Sequence, residues 1–108
     1  MTRSMTSEEA RRLVAKSRGR QPESAVVTQA RDWLRFKGYD VTRHQQGLGS
    51  RRGFPDLTAL RDGVTTYIEC KTATGRLSAH QEAFRETCEA HGGRYLVVRC
   101  IEDLEVLE

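Results

Sequence analysis

The chain contains no apolar run approaching the roughly 20 residues that a membrane-spanning helix needs, and its basic N-terminus leads into no apolar segment of the kind a secretory signal carries. These absences predict an intracellular protein with no membrane partner. Cysteine is sparse. Cys70, Cys88 and Cys100 form no Cys-x-x-Cys pair and cannot all be matched into disulfides, so neither a zinc ribbon nor a secreted disulfide framework is indicated. They read as reduced, partly buried structural thiols. Cys88 and His91, three apart on a predicted helix, lack the second ligand pair that a zinc site requires. No Gly-Lys-Ser/Thr follows the glycine-bearing stretch 45–53, which removes a Walker phosphate loop. No small-molecule cofactor is expected.

What is present fits one small domain. At 108 residues, 37% hydrophobic and 31% charged, the chain can bury a modest core and little more. Residues 21–108 are assigned to that domain, and 1–20 to a basic arm or a short helix near 7–17, for which Thr6-Ser7-Glu8-Glu9 has capping-box spacing. Charge is unevenly spread: residues 1–53 carry twelve Lys/Arg against five Asp/Glu, and 54–108 carry six against ten. Fifteen of the eighteen basic residues are arginine, whose planar fork suits phosphate. The N-terminal half therefore suits a polyanion, with an ordinary solvated surface as the plainer alternative.

Along the domain, a helix is predicted from Pro22 to Gly38, where Val26, Val27, Ala30, Trp33 and Leu34 form one apolar stripe. Glu23 lies on that stripe. It either needs a cation or donors beside it or simply favours the helix dipole from a half-exposed position. Tyr39 to His44 reads as a short strand and Gln45 to Gly53 as a loop with Arg51 and Arg52 aimed at phosphates or merely exposed on a turn. After the hairpin described below, Ser78 caps a helix running to about His91, on which Leu77, Gln81, Phe84 and Cys88 share a stripe. Gln81 needs a polar partner there. Arg94 to Cys100 reads as a buried strand and the last eight residues as a short strand or turn.

Asp62-Gly63 is a strong two-residue hairpin signal between strand-like runs, Asp56 to Arg61 and Val64 to Lys71. With 62 and 63 as the loop, Arg61 faces Val64, Thr58 faces Tyr67, and Asp56 faces Glu69. Opposed carboxylates repel. Lys71 points to the same face as Glu69 and offsets part of this; Mg²⁺, which favours a few carboxylate oxygens, offsets it better. The whole is an α/β domain with a basic half and a carboxylate pair beside a lysine, which suits phosphodiester hydrolysis: a cation polarises the phosphate while Lys71 orients water or offsets developing charge.

Gly53-Phe54-Pro55-Asp56 followed by Glu69-Cys70-Lys71 resembles the PD-(D/E)XK nuclease superfamily. With Ser50-Arg51-Arg52 upstream and Leu77-Ser78-Ala79-His80-Gln81 downstream, the chain is similar over roughly residues 22–100 to the virus-type replication-repair nuclease (VRR-NUC) family. That resemblance implies a restriction-endonuclease-like core, a central mixed β-sheet flanked by helices. It implies that Asp56, Glu69 and the Cys70 backbone carbonyl bind metal, with Glu23 as a further ligand or support. Lys71 then serves the nucleophilic water and Gln81 supports the site. It further implies a Mg²⁺-dependent DNA endonuclease, Mn²⁺ substituting, that acts as a homodimer on branched DNA such as Holliday junctions in a phage or bacterial setting. Arg51, Arg52 and Arg76 are the expected DNA contacts. A non-cleaving nucleic-acid-binding or interaction module on the same fold, and an RNA-processing nuclease, are the alternatives.

Overall fold

The computed structural model describes residues 21–108; the basic arm and the expected helix over 7–17 lie outside them. Helix α1 (Glu23–Phe36) buries Val26, Val27, Ala30 and Leu34, the expected stripe, with Trp33 partly buried beside them. Pro22 is the N-cap, one place further out than expected. Its extended ψ of 156° lies outside the helix, while its carbonyl accepts the first helical N–H groups from Ala25 and Val26. At the other end Gly38 N–H bonds to the Arg35 carbonyl and Tyr39 N–H to that of Leu34, the paired bonds of a Schellman stop.

Strands β1 (Asp40–Arg43), β2 (Leu57–Arg61), β3 (Val64–Cys70) and β4 (Arg94–Val98) form one sheet in that order, antiparallel except that β4 runs parallel to β3. The parallel step needs a crossover, supplied by helix α2 (Ala79–Ala90). This is the expected α/β mixed sheet flanked by helices. Asp62 and Gly63 both have positive φ (53° and 78°), as a type I′ turn demands, so Arg61 faces Val64 and the register follows as counted, through Thr58↔Tyr67 to Leu57↔Ile68.

Alternation along the strands divides the molecule into two layers. Leu57, Ala59, Ile68, Cys70 and Val98 pack with α1. Phe54, Tyr67, Phe84 and Tyr95 form a chain of ring contacts between the sheet and α2, with Phe54 also edge-on to His44 at 4.7 Å. Two expectations are corrected here. β4 stops at Val98, and as a sheet edge it leaves Tyr95, Leu96 and Val97 only half-buried. Residues Ile101–Leu107 form neither strand nor plain turn but a 3₁₀ helix, whose three-residue period places Leu104 and Leu107 in one buried row against α1.

Candidate active site

Asp56 stands one residue before β2, and the ladder ends at Leu57↔Ile68, so the expected pairing of Asp56 with Glu69 is not a ladder pair. Asp56 is held in another way. Its carbonyl accepts from His44 N–H at 2.9 Å, and its Oδ2 accepts from Cys70 N–H at 2.8 Å, fixing the carboxylate across the end of β3. Glu69, one residue earlier on β3, is only 1% exposed. Gln81 supplies the polar partner it needs: Nε2 donates to Glu69 Oε1 at 2.9 Å. The same Gln81 closes a capping box, its Oε1 accepting from Ser78 N–H while its own N–H donates to the Ser78 hydroxyl. The helix start and the buried carboxylate thus share one amide, which can turn neither way.

Glu23, in the first turn of α1, brings a third carboxylate. One oxygen each from Glu23, Asp56 and Glu69 lie within 4.8 Å of one another, the one such acidic group among the described residues. Lys71 lies between them, its Nζ 3.4 Å from Glu23 Oε1 and 3.8 Å from Glu69 Oε1. One ammonium against three carboxylates leaves the cluster with excess negative charge. The consequence falls on Glu69: burial first, then the Asp56 carboxylate, push it from its ordinary 4.5 up to about 8. Burial raises Asp56 too, against the pull of the Cys70 N–H. Glu69 Oε2 is buried with no hydrogen-bond partner. Three clustered carboxylates, one of them buried with an oxygen that no donor reaches, are a donor set suited to a hard divalent cation.

The expected site residues Glu23, Asp56, Glu69, Cys70, Lys71 and Gln81 are therefore gathered at one end of the sheet. The three arginines are placed differently. Arg51 lies over the Phe84 ring at 5.0 Å, and Arg52 and Arg76 are exposed in the loops before Asp56 and after Lys71. Gly53, with φ +77°, lets the 45–53 loop press its backbone against the first turn of α2; a Cβ there would collide with the His80 carbonyl and come 2.8 Å from Gln81 N. Sequence reasoning missed Arg99. Its Nη1 donates to the carbonyls of Thr72 and Gly75, both at 2.6 Å, and so gathers the loop that follows Lys71. No local pattern signals such a clamp. Phe54 was legible only as part of its motif, not as a member of the aromatic layer that joins His44, Tyr67 and Phe84.

The family profile described as the VRR-NUC domain matches residues 5–101. The chain belongs to the VRR-NUC family. The match covers the sheet and both helices and extends further towards the N-terminus than the 22–100 likeness read from the motifs. Nine chains of solved structures match, among them a VRR-NUC domain that superposes with a TM-score of 0.61 at 26% identity, covering 69% of this chain and 81% of that one. No curated protein matches. The chain is thus a nuclease-type domain, and the cluster of Glu23, Asp56 and Glu69 lies within the matched residues.

Proposed function

We propose that this VRR-NUC domain is a Mg²⁺-dependent endonuclease that hydrolyses DNA phosphodiester bonds, with branched DNA such as Holliday junctions as its preferred substrate. The observation that carries the metal dependence is the convergence of Glu23, Asp56 and Glu69, one oxygen of each within 4.8 Å of the others. Asp56, Glu69 and the Cys70 carbonyl would hold the cation, with Glu23 supporting. When bound, a divalent cation supplies Lewis-acid polarisation of the phosphate and an acidified water. The protein's own groups do the rest. Gln81 fixes the Glu69 carboxylate, and the Cys70 N–H fixes Asp56. Lys71, only 14% exposed at its side chain, orients the attacking water and offsets the charge that develops on the phosphoryl oxygens. Arg51, Arg52 and Arg76 contact the backbone phosphates. One domain offers one cluster, whereas symmetric cutting of a junction needs two, and a C₂ homodimer is the commonest way to supply them.

The test is cleavage of labelled four-way junction, flap, duplex, single-stranded DNA and RNA, with Mg²⁺ or with EDTA. Mg²⁺-dependent cutting, strongest on branched DNA, is expected. Asp56→Asn and Lys71→Ala should each lower cutting by about a hundred-fold or more while binding persists. Cutting that survives EDTA would sink the metal mechanism, and RNA as the only substrate would replace the DNA assignment.

A further inference from the structure

The thirteen residues from Arg43 to Pro55 contain three arginines and no carboxylate, although they lead directly into Asp56. Their fold is specific. Ser50 clasps the turn at its tip, its hydroxyl donating to the Gly47 carbonyl at 2.6 Å and accepting from Gly47 N–H, while Ser50 N–H bonds to the same carbonyl. That clasp holds Leu48 outward, fully exposed between two glycines. The base of the loop is anchored as well. Gln46 Nε2 donates to the Phe54 carbonyl, and Gly53 is pressed on α2. Between the loop base and the acidic cluster runs a groove of about 540 Å³ lined by Arg43, His44, Gln45, Gln46 and Asp56.

A lone exposed leucine is ordinary on a protein surface. A leucine raised on a clasped turn, in a loop that has Arg43 before it and Arg51 and Arg52 after it and whose base borders a groove reaching Asp56, is a more particular arrangement. Apolar side chains on basic elements serve as wedges at nucleic-acid base steps, where partial unstacking offers them an apolar face. We propose that the 45–52 loop docks on an unstacked base step of the nucleic acid, with Leu48 as the wedge and Arg43 and Arg52 on the flanking phosphates, so that the groove receives the strand leading to Asp56. An intact duplex offers no such face without the cost of unstacking, so the loop favours a branch point or a boundary between paired and unpaired strands. This rests on the nuclease reading above and names the feature of the substrate that the site selects.

The experiment uses the full chain as wild type, Leu48→Ser and Leu48→Phe, with a four-way DNA junction and a linear duplex of the same arm sequence. Each carries 2-aminopurine at the central step, and binding is read in EDTA. The wild type should brighten the junction probe. Leu48→Ser should leave it dim and bind the junction about ten-fold more weakly, the effect of losing one buried leucine contact. Leu48→Phe should restore the brightening, and all three should bind the duplex equally. Leu48→Ser matching the wild type in brightening and junction affinity overturns the inference. Parallel Mg²⁺ reactions separate it from the nuclease reading: brightening without cutting keeps the wedge and retires the nuclease, and cutting without brightening does the reverse.

Discussion

Glu69 is the residue on which the energetics of the site turn. Its folded pKa, about 8, lies above the ordinary 4.5 because burial and Asp56 penalise the charged form. Between those values the folded chain holds a proton that the unfolded chain releases, so stability is greatest at the acid end of the window and falls as pH rises. The cation-free protein should therefore melt at progressively lower temperature from pH 5 towards pH 8, on the order of the window just derived. Mg²⁺ should counter the fall and release protons on binding. Glu69→Gln should flatten the pH dependence and abolish the Mg²⁺ effect, both read by thermal melts across the pH series. A wild type whose melting temperature rises with pH in EDTA would contradict this account. Much of this site was legible residue by residue. The nearness of Asp56, Glu69 and Lys71 was legible from the turn, though not as the ladder pair it counted, and Gln81 from a polar side chain on an apolar stripe that had to find a partner. Glu23 was ambiguous, since a first-turn carboxylate has a sufficient role in the helix dipole; only the fold shows that α1 delivers it to Lys71.

At the level of elements, the hairpin register was legible because an Asp-Gly turn fixes strand pairing by local backbone geometry. The ends of elements were less so. Asp56 left the ladder because its carboxylate found the Cys70 N–H, a contact between side chain and distant backbone. The 3₁₀ helix carries a three-residue apolar spacing, Ile101, Leu104 and Leu107, but over so short a stretch that strand and helix patterns are indistinguishable without α1 to pack against. Loop-to-helix packing is not encoded locally, and Gly53 shows its cost. Gly53→Ala must both strain a positive φ and drive a methyl into the His80 carbonyl. A loss of about 2–4 kcal/mol in denaturant unfolding is expected. Because the displaced segment carries Gln81, cutting should fall even under conditions where the variant remains folded. A Gly53→Ala protein with wild-type stability would mean that the loop does not bear on α2 as described.

For the molecule as a whole, the position of charge matters more than its sum. The acidic cluster occupies one end of the sheet, flanked in the chain by Arg51 and Arg52 on one side and Arg76 on the other. Arg94, opposite Thr66 on β4, belongs to the end that carries the Asp62-Gly63 turn, where it lines a separate cavity with Tyr39 and Arg61. Each phosphate contact adds about 0.9 to the slope of log affinity against log salt. Replacing Arg51 and Arg52 together by alanine should lower that slope for duplex DNA by about 1–2 and weaken binding alike for all sequences. Arg76→Ala should lower it by about 1. Arg94→Ala removes the same unit charge and should leave the slope unchanged. If Arg94→Ala flattened it as much as Arg76→Ala does, binding would follow the net charge of the chain, and neither the loops nor the site end of the sheet would define the path of the DNA.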